Sequence, residues 1–387
     1  GWGYPVIAGN LHNFGGRINM HGDLALLASN QYQKAKARYP NVCGSGLFME
    51  AIEQNPVYYE LAFEMPNHAD SIPLQAWLAA YAERRYGAKS AAAGKAWMYL
   101  LEGPYRQGTN GTERSSIVAA RPALNVKKSG PNAGLGIPYE PMLVIRAQSQ
   151  LLKDADKLAF SKPYRFDIVD VQRQMMTNLG QLVHKKAAEA FASKDKAAFV
   201  LHSGRFLELL RDMDELLYTR SEYSFDRWLT EARSWGETKE EKDLMERDAT
   251  SLVTIWGADG DPRIFDYSWR EWAGLINGYY LPRWQKFYTM LQGHLDAGTD
   301  YQEEGLSLAY GREDFRANDF YNRLAEWELA YVDQTGKART PVTHGDELVV
   351  TRRLFDKYLK LSREYYADFS GVGEIKEERT YENVGEE

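Results

Sequence analysis

Leu11-His12-Asn13-Phe14-Gly15-Gly16, with Gly44-Ser45-Gly46-Leu47-Phe48-Met49-Glu50-Ala51-Ile52-Glu53-Gln54-Asn55 further on, decides how the start of this chain is read. Short apolar runs at 4–8 and 41–46 stand beside these segments, and a helix-like stretch at 23–38 lies between them. Strand, loop, helix, strand, loop is the alternation of a parallel α/β unit. Residues 1–70 are Gly-rich and hold about two such strands. A closed (β/α)8 barrel takes eight strands and about 250 residues, so this segment is too short to close one.

From Ser71 the period changes. Ser71 and Pro73 are helix-start signals, Leu74, Trp77, Leu78 and Tyr81 mark one face, and Gly87 is a stop. Periodic segments follow at 139–160, 166–191, 196–218, 224–235, 239–256, 269–291, 314–331 and 348–369. In the third, Phe199, Phe206, Leu209, Leu210, Met213 and Leu216 trace a stripe with helical spacing. Strand-like alternation is scarce, and residues 71–370 read as an all-α domain. Residues 107–126, with their Gly, Asn, Thr and Ser, read as a loop. Within it Asn110-Gly111-Thr112 fits a glycosylation sequon, a triplet common by chance. Residues 371–387 read as a flexible acidic tail, with six Glu against Lys376 and Arg379.

The 387 residues, 44% hydrophobic, can build sizeable cores in two or three domains. A net charge of -7 argues against a nucleic-acid partner. No apolar run reaches transmembrane length, so no membrane span is expected. Cys43 is the single cysteine, which excludes an internal disulfide framework and a Cys-rich metal site but leaves the compartment open. The 25 Tyr and 10 Trp serve either core packing or a carbohydrate site, where flat rings stack on sugar faces.

With 54 Asp and Glu, carboxylates identify nothing by number, and position says more. Glu50 lies just past the expected strand 42–46, flanked by Gly44, Gly46, Phe48 and Met49. A carboxylate there can point into a cleft with apolar walls. Its other reading is a helix-start Glu that complements the dipole of the next helix. Glu53, one helical turn on, is a rival whose plainer role is to face solvent or cap that helix. His12 and Asn13 at a strand end can hold ligand hydroxyls, while Gly15-Gly16 lets backbone approach closely. The same pair also suits a tight strand-to-helix turn. His21 and Asp23 lack a third ligand, so no metal is expected.

These residues resemble glycoside hydrolase family 89, the α-N-acetylglucosaminidases. Gly44, Gly46, Glu50, Gln54 and Asn55 occupy the places of the family's Gly-x-Gly-x-x-x-Glu segment after the eighth barrel strand. His12-Asn13-Phe14-Gly15-Gly16 matches its seventh-strand motif. Leu252-Val253-Thr254-Ile255-Trp256-Gly257, Ile264-Phe265-Asp266-Tyr267 and Tyr279-Tyr280-Leu281-Pro282-Arg283-Trp284 resemble a run in the family's helical domain. The resemblance implies a mainly α fold in which 1–70 are the last strands of a (β/α)8 catalytic barrel. Residues 71–370 would then be the all-α domain that packs on the barrel and lends residues to its cleft. It implies Glu50 as nucleophile and His12, Asn13, Trp256 and Tyr267 as sugar-binding residues. Trp256 ends a helix before a Gly/Asp/Pro loop, where a ring can leave the core or plug the inter-domain interface. Arg283, among aromatics, is expected in a buried ion pair.

Two departures lie beside the motifs. Val6-Ile7-Ala8-Gly9-Asn10 lacks the family's aromatic and Met or Cys, and Met49-Glu50-Ala51 replaces Pro-Glu-Gly. The implied reaction is retaining exo-hydrolysis of terminal α-linked N-acetylglucosamine from a glycan, without a cofactor. The general acid is expected upstream of Gly1, which would make the chain a carboxy-terminal portion and the upstream part of the same enzyme its partner. The compartment implied is secreted or periplasmic in a bacterium, or lysosomal in a eukaryote. Two other readings stay open: a non-catalytic helical scaffold that binds glycan or protein, and an inverting glycosidase on an α/α toroid.

Overall fold

The computed structural model describes residues 3–51, 53–106, 114–130, 134–256, 265–301, 303 and 319–366. Strands β1 (Val6–Asn13) and β2 (Val42–Met49) pair in parallel. Ile7 stands opposite Gly44, Leu11 opposite Phe48, and Asn13 opposite Met49. The register shifts between Leu11 and Asn13, at the end that carries the motif. β2 runs through Met49 rather than stopping at 46, so Glu50 follows the strand directly.

The crossover is made by α1 (Leu24–Ala28) and α2 (Gln31–Arg38), not by one helix over 23–38. Asp23 caps α1 by accepting the Leu26 N–H at 2.8 Å, and Asn30, with φ of 66°, breaks the run in the left-handed region. Among the described residues the sheet has two strands, and it leaves apolar side chains in solvent: Ile7 is 67% and Phe48 70% exposed.

Helices follow throughout: α3 (Pro56–Glu64), α4 (Leu74–Tyr86), α5 (Ala91–Glu102), α6 (Met142–Lys153), α7 (Ala155–Leu158) and α8 (Lys162–Ala192). Then come α9 (Lys196–Leu217), α10 (Phe225–Arg233), α11 (Lys239–Leu252), α12 (Leu281–Ala297), α13 (Asp319–Asp333) and α14 (Glu347–Tyr365). The fold is mainly α, as expected. α8 is the axis of this part, packing against α4, α6, α9 and α14. Ser161 caps it and Pro163 sits in its first turn, where the missing N–H costs nothing. The α9 stripe from Phe199 to Leu216 is buried at every position named above. Each such side chain contributes roughly 1.5–3 kcal/mol of burial.

The helix boundaries differ from the periodicity in readable ways. α5 carries a plain signal, Ser90 accepting the Ala93 N–H at 2.9 Å ahead of an Ala-rich run, although no helix was expected there. The segment 269–291 becomes helical only late: a π-turn at Ile276–Tyr280 leads into α12. Pro282 has no N–H for the carbonyl one turn back, and a widened turn accommodates its ring. The segment 139–160 divides at Asp154 into α6 and α7. The sequon at Asn110, the helix ends expected at 314–318 and 367–369, and the tail 371–387 lie outside the described residues. Among those described, no helix is long and apolar enough to cross a membrane.

Candidate active site

Glu50 is held at the end of β2 by the chain beside it. Its backbone N–H donates to Asn13 Oδ1 at 3.1 Å, and its carboxylate accepts the N–H of Gly15. Asn13 is buried, and its Nδ2 reaches back to the carbonyl of Arg17 at 3.4 Å. Gly15 and Gly16 both have positive φ, 63° and 72°. A Cβ on Gly15 would lie 2.7 Å from the Tyr267 carbonyl, and one on Gly16 2.8 Å from the Glu50 carbonyl. Only glycine fits a turn pressed between those two backbones. Glu50 itself is exposed. Glu53 instead turns to the helical part, accepting from Arg227 of α10 at 2.9 Å.

The other wall comes from the helical domain. Ser268 Oγ donates to the Gly15 carbonyl, and Arg17 Nε donates to the Tyr267 carbonyl at 2.8 Å. The Arg17 guanidinium also lies 5.3 Å from the Tyr267 ring centroid. Tyr267 and Trp256 form a tilted pair with centroids 4.5 Å apart, and both are partly exposed. The fold thus brings Tyr267, and Trp256 through it, to the turn that binds Glu50. α11 ends at Leu252, so Trp256 stands in a turn beyond the helix. Trp256 and Asp266 both have φ of 58°, and non-glycine residues in that region are a form of stored strain characteristic of functional sites.

Asp266 is held by buried charge. Arg283 is fully buried and pairs with Asp266 at 3.0 Å and Glu328 at 3.1 Å, as its sequence setting implied. Arg121 adds a second guanidinium on Glu328 at 2.7 Å. Burial pushes the Asp266 carboxyl up to about 6, against the pull of Arg283. Tyr279 stacks beneath Arg283 with its centroid 4.6 Å from the guanidinium carbon.

His12 sits below the site rather than in its opening. Its Nε2 meets the His21 carbonyl at 2.9 Å, which requires the proton on Nε2. Nδ1 then accepts from the Tyr59 hydroxyl at 2.9 Å, and that oxygen accepts from Gln54 Nε2. The ring stacks on Tyr58 at 3.8 Å between centroids. Burial, with His21 close by, lowers its pKa to about 3, so the imidazole is neutral. Asn55 accepts from the His21 N–H at 2.9 Å and the Tyr105 hydroxyl at 3.0 Å. Asp23 is used as a helix cap, and no group of three His, Cys, Asp or Glu clusters as a metal site would among the described residues. A cavity of about 250 Å³ lined by Phe191, Lys194, His294 and Asp300 shares no residue with this site.

Arg17 and Ser268 were not singled out from the sequence, and Gly15-Gly16 was read for close backbone approach but not for the N–H that Gly15 gives to Glu50. Arg17 does carry a signal, being a charged residue directly after a Gly-Gly turn. Ser268 carries none, since a hydroxyl is read from its partner alone.

Residues 77–357 match the α-N-acetylglucosaminidase (NAGLU) C-terminal domain, and residues 2–69 match the tim-barrel domain of the same family. The chain is similar to the human protein named alpha-N-acetylglucosaminidase, at 34% identity over 365 residues, covering 92% of this chain and 45% of that protein. A family 89 glycoside hydrolase from Clostridium perfringens, solved in complex with PUGNAc, superimposes with a TM-score of 0.81 at 29% identity, over 94% of this chain and 40% of its own. A Glu-to-Gln double variant of the clostridial protein, in complex with its substrate GlcNAc-alpha-1,4-galactose, gives a TM-score of 0.80 at 29% identity, over 94% of this chain and 39% of its own. The chain spans less than half the length of these relatives. It belongs to glycoside hydrolase family 89, the α-N-acetylglucosaminidase family, and comprises its C-terminal domain with the adjoining part of its barrel.

Proposed function

We propose that these residues are the carboxy-terminal portion of a retaining exo-α-N-acetylglucosaminidase in which Glu50 is the nucleophile. The observation that carries this reading is an exposed carboxylate at the carboxyl end of β2, bonded by the Gly15 N–H, on the turn that also touches Tyr267. In a (β/α)8 barrel the reacting groups stand at the carboxyl ends of strands. Membership of family 89 supports the same assignment.

The reaction needs a second carboxyl, and in this reading it comes from a barrel strand outside these residues. That acid gives its proton to the glycosidic oxygen as the C1–O bond breaks, and Glu50 forms an ester at C1. Water then attacks C1, the same group takes its proton, and the ester breaks to free the sugar and restore both carboxyls. Trp256 and Tyr267 supply a ring surface for the sugar. Asn13 acts through the backbone of Glu50, and His12 through the Tyr59–Gln54 chain beneath it, so both serve the site by positioning. The remaining barrel strands cover Ile7 and Phe48.

The substrate is a glycan ending in α-linked N-acetylglucosamine, by analogy with the clostridial relative's GlcNAc-alpha-1,4-galactose. The full-length gene product should hydrolyse an aryl α-N-acetylglucosaminide with retention at C1, and Glu50→Gln should lose at least about a thousandfold in kcat. No turnover by the unaltered protein, inversion at C1, or an active Glu50→Gln variant would each overturn the assignment.

A further inference from the structure

We propose that Ser268 of the helical domain is a positioning residue for Glu50, acting through the two peptide groups that flank Gly15. The inference rests on Glu50 being the nucleophile. Gly15 is bonded on both sides of its Cα: the N–H of the Phe14–Gly15 peptide donates to the Glu50 carboxylate, and the carbonyl of the Gly15–Gly16 peptide accepts from Ser268 Oγ. Ser268 is 2% exposed, so its hydroxyl is held in place by the packing around it.

The contact between the two segments is backbone on backbone. A Cβ on Gly15 would stand 2.9 Å from the Ser268 Cα as well as 2.7 Å from the Tyr267 carbonyl. Arg17 ties the far end of the same turn to Tyr267 at 2.8 Å. The turn therefore cannot move without the 267–268 segment, and the Glu50 carboxylate bonds to the turn.

An attacking carboxylate on an exposed side chain has rotamers in which its oxygen points away from C1. The Gly15 N–H selects among them, and Ser268, by holding the adjoining peptide of the same glycine against the 267–268 backbone, limits how Gly15 can rotate that N–H away. Orientation of this kind acts on the reacting geometry more than on ground-state binding. A hydroxyl that merely satisfied the nearest carbonyl would have no such effect on turnover.

The test is Ser268→Ala in the full-length protein, with Glu50→Gln as reference. kcat on the aryl glycoside should fall about tenfold, which is about 1.4 kcal/mol. KM and the affinity for PUGNAc should stay within about twofold, showing an intact sugar pocket. If Ser268→Ala does not fold, Ser268→Cys keeps the volume with a weak donor, and the same split is expected of it. A kcat equal to that of the unaltered protein, or a loss of kcat matched by a loss of PUGNAc affinity, would overturn the role of Ser268 and leave Glu50 in place. Activity in Glu50→Gln would overturn the underlying assignment instead, and the role of Ser268 with it.

Discussion

Arg17 grips Tyr267 twice, by a 2.8 Å hydrogen bond to its carbonyl and by a guanidinium placed 5.3 Å from its ring centroid. One residue of the barrel segment thus fixes both the backbone and the ring of a residue in the helical domain. Arg17 is fully buried, so this is an internal contact and not a surface pairing.

Arg17→Lys should therefore do harm despite keeping the charge. An ammonium is a point charge and cannot bond the carbonyl while lying flat on the ring. Losing a hydrogen bond from a charged donor costs about 1.5–3 kcal/mol. Urea denaturation should show that loss, together with weaker PUGNAc binding as Tyr267 loosens. An unchanged midpoint would mean that other contacts hold Tyr267.

Trp256→Ala tests the ring surface. The Trp256–Tyr267 pair lies at 4.5 Å between centroids, a geometry worth about 0.5–1.5 kcal/mol in itself. Thermal stability should change little, because Trp256 is only partly buried. PUGNAc affinity should fall about tenfold, equivalent to about 1.4 kcal/mol. Unaltered affinity would return Trp256 to the role of an interface plug.

Glu328→Ala should be severe. Arg121 and Arg283 both pair with this carboxylate in the interior. Breaking a buried pair by removing one partner costs about 3–5 kcal/mol. Because Arg283 also holds Asp266, the residue before Tyr267, the variant should lose PUGNAc affinity along with stability. Calorimetry and inhibitor titration on one sample check both.

The pH dependence has opposing parts. His12 and His184 have pKa values lowered from 6.5 to about 3 and about 4, chiefly by burial. Between those values and 6.5 the unfolded chain binds the proton and the folded one does not, so their stability is lost as pH falls below 6.5. Asp214 runs the other way. Burial raises its carboxyl to about 6, while N–H groups of Gly274 and Asn277 pull it down. There the folded state binds the proton first, so acidification from about 6 towards 3.8 stabilises and the charge at neutral pH is a cost. Asp214→Asn should accordingly raise the melting temperature at pH 7.5, by at most about 3 kcal/mol in stability, and do nothing near pH 4. The reverse ranking of the two pH values would refute this sign.

The open sheet gives a final expectation. Ile7 and Phe48 are exposed on a sheet that has two strands among the described residues, each with one outer edge, which invites association through edges and apolar faces. These 387 residues expressed alone should self-associate in light scattering and show no enzymatic turnover. Ile7→Lys with Phe48→Lys should reduce the association. Monodisperse, active material would mean that the site needs no further barrel strands.

Much of this was legible in the residues. The change of period at Ser71, the stripe on α9 and the place of Glu50 after a Gly-spaced strand are local patterns, and burial of one face of a helix or strand writes them into the chain. The buried pairing of Arg283 could be expected from its aromatic neighbours. Helix ends were less legible. The late start of the 269–291 helix coincides with Gly274, whose φ of 83° lies outside the helical region, Pro282 accounts for the widened turn, and the break at Asn30 comes from a left-handed residue that propensity alone does not mark.

By itself the sequence determined a parallel α/β start, a helical remainder and a carboxylate at a strand end, because these depend on residues close together in the chain. The tertiary structure decided what surrounds that carboxylate. Ser268 and Tyr267 meet Gly15 from more than two hundred positions away, and His12 turned out to be spent on Tyr59 and the His21 carbonyl. Such pairings are set by the packing of the helical domain on the turn. A hydrogen bond between distant residues leaves no period in the sequence, whereas a buried helix face must.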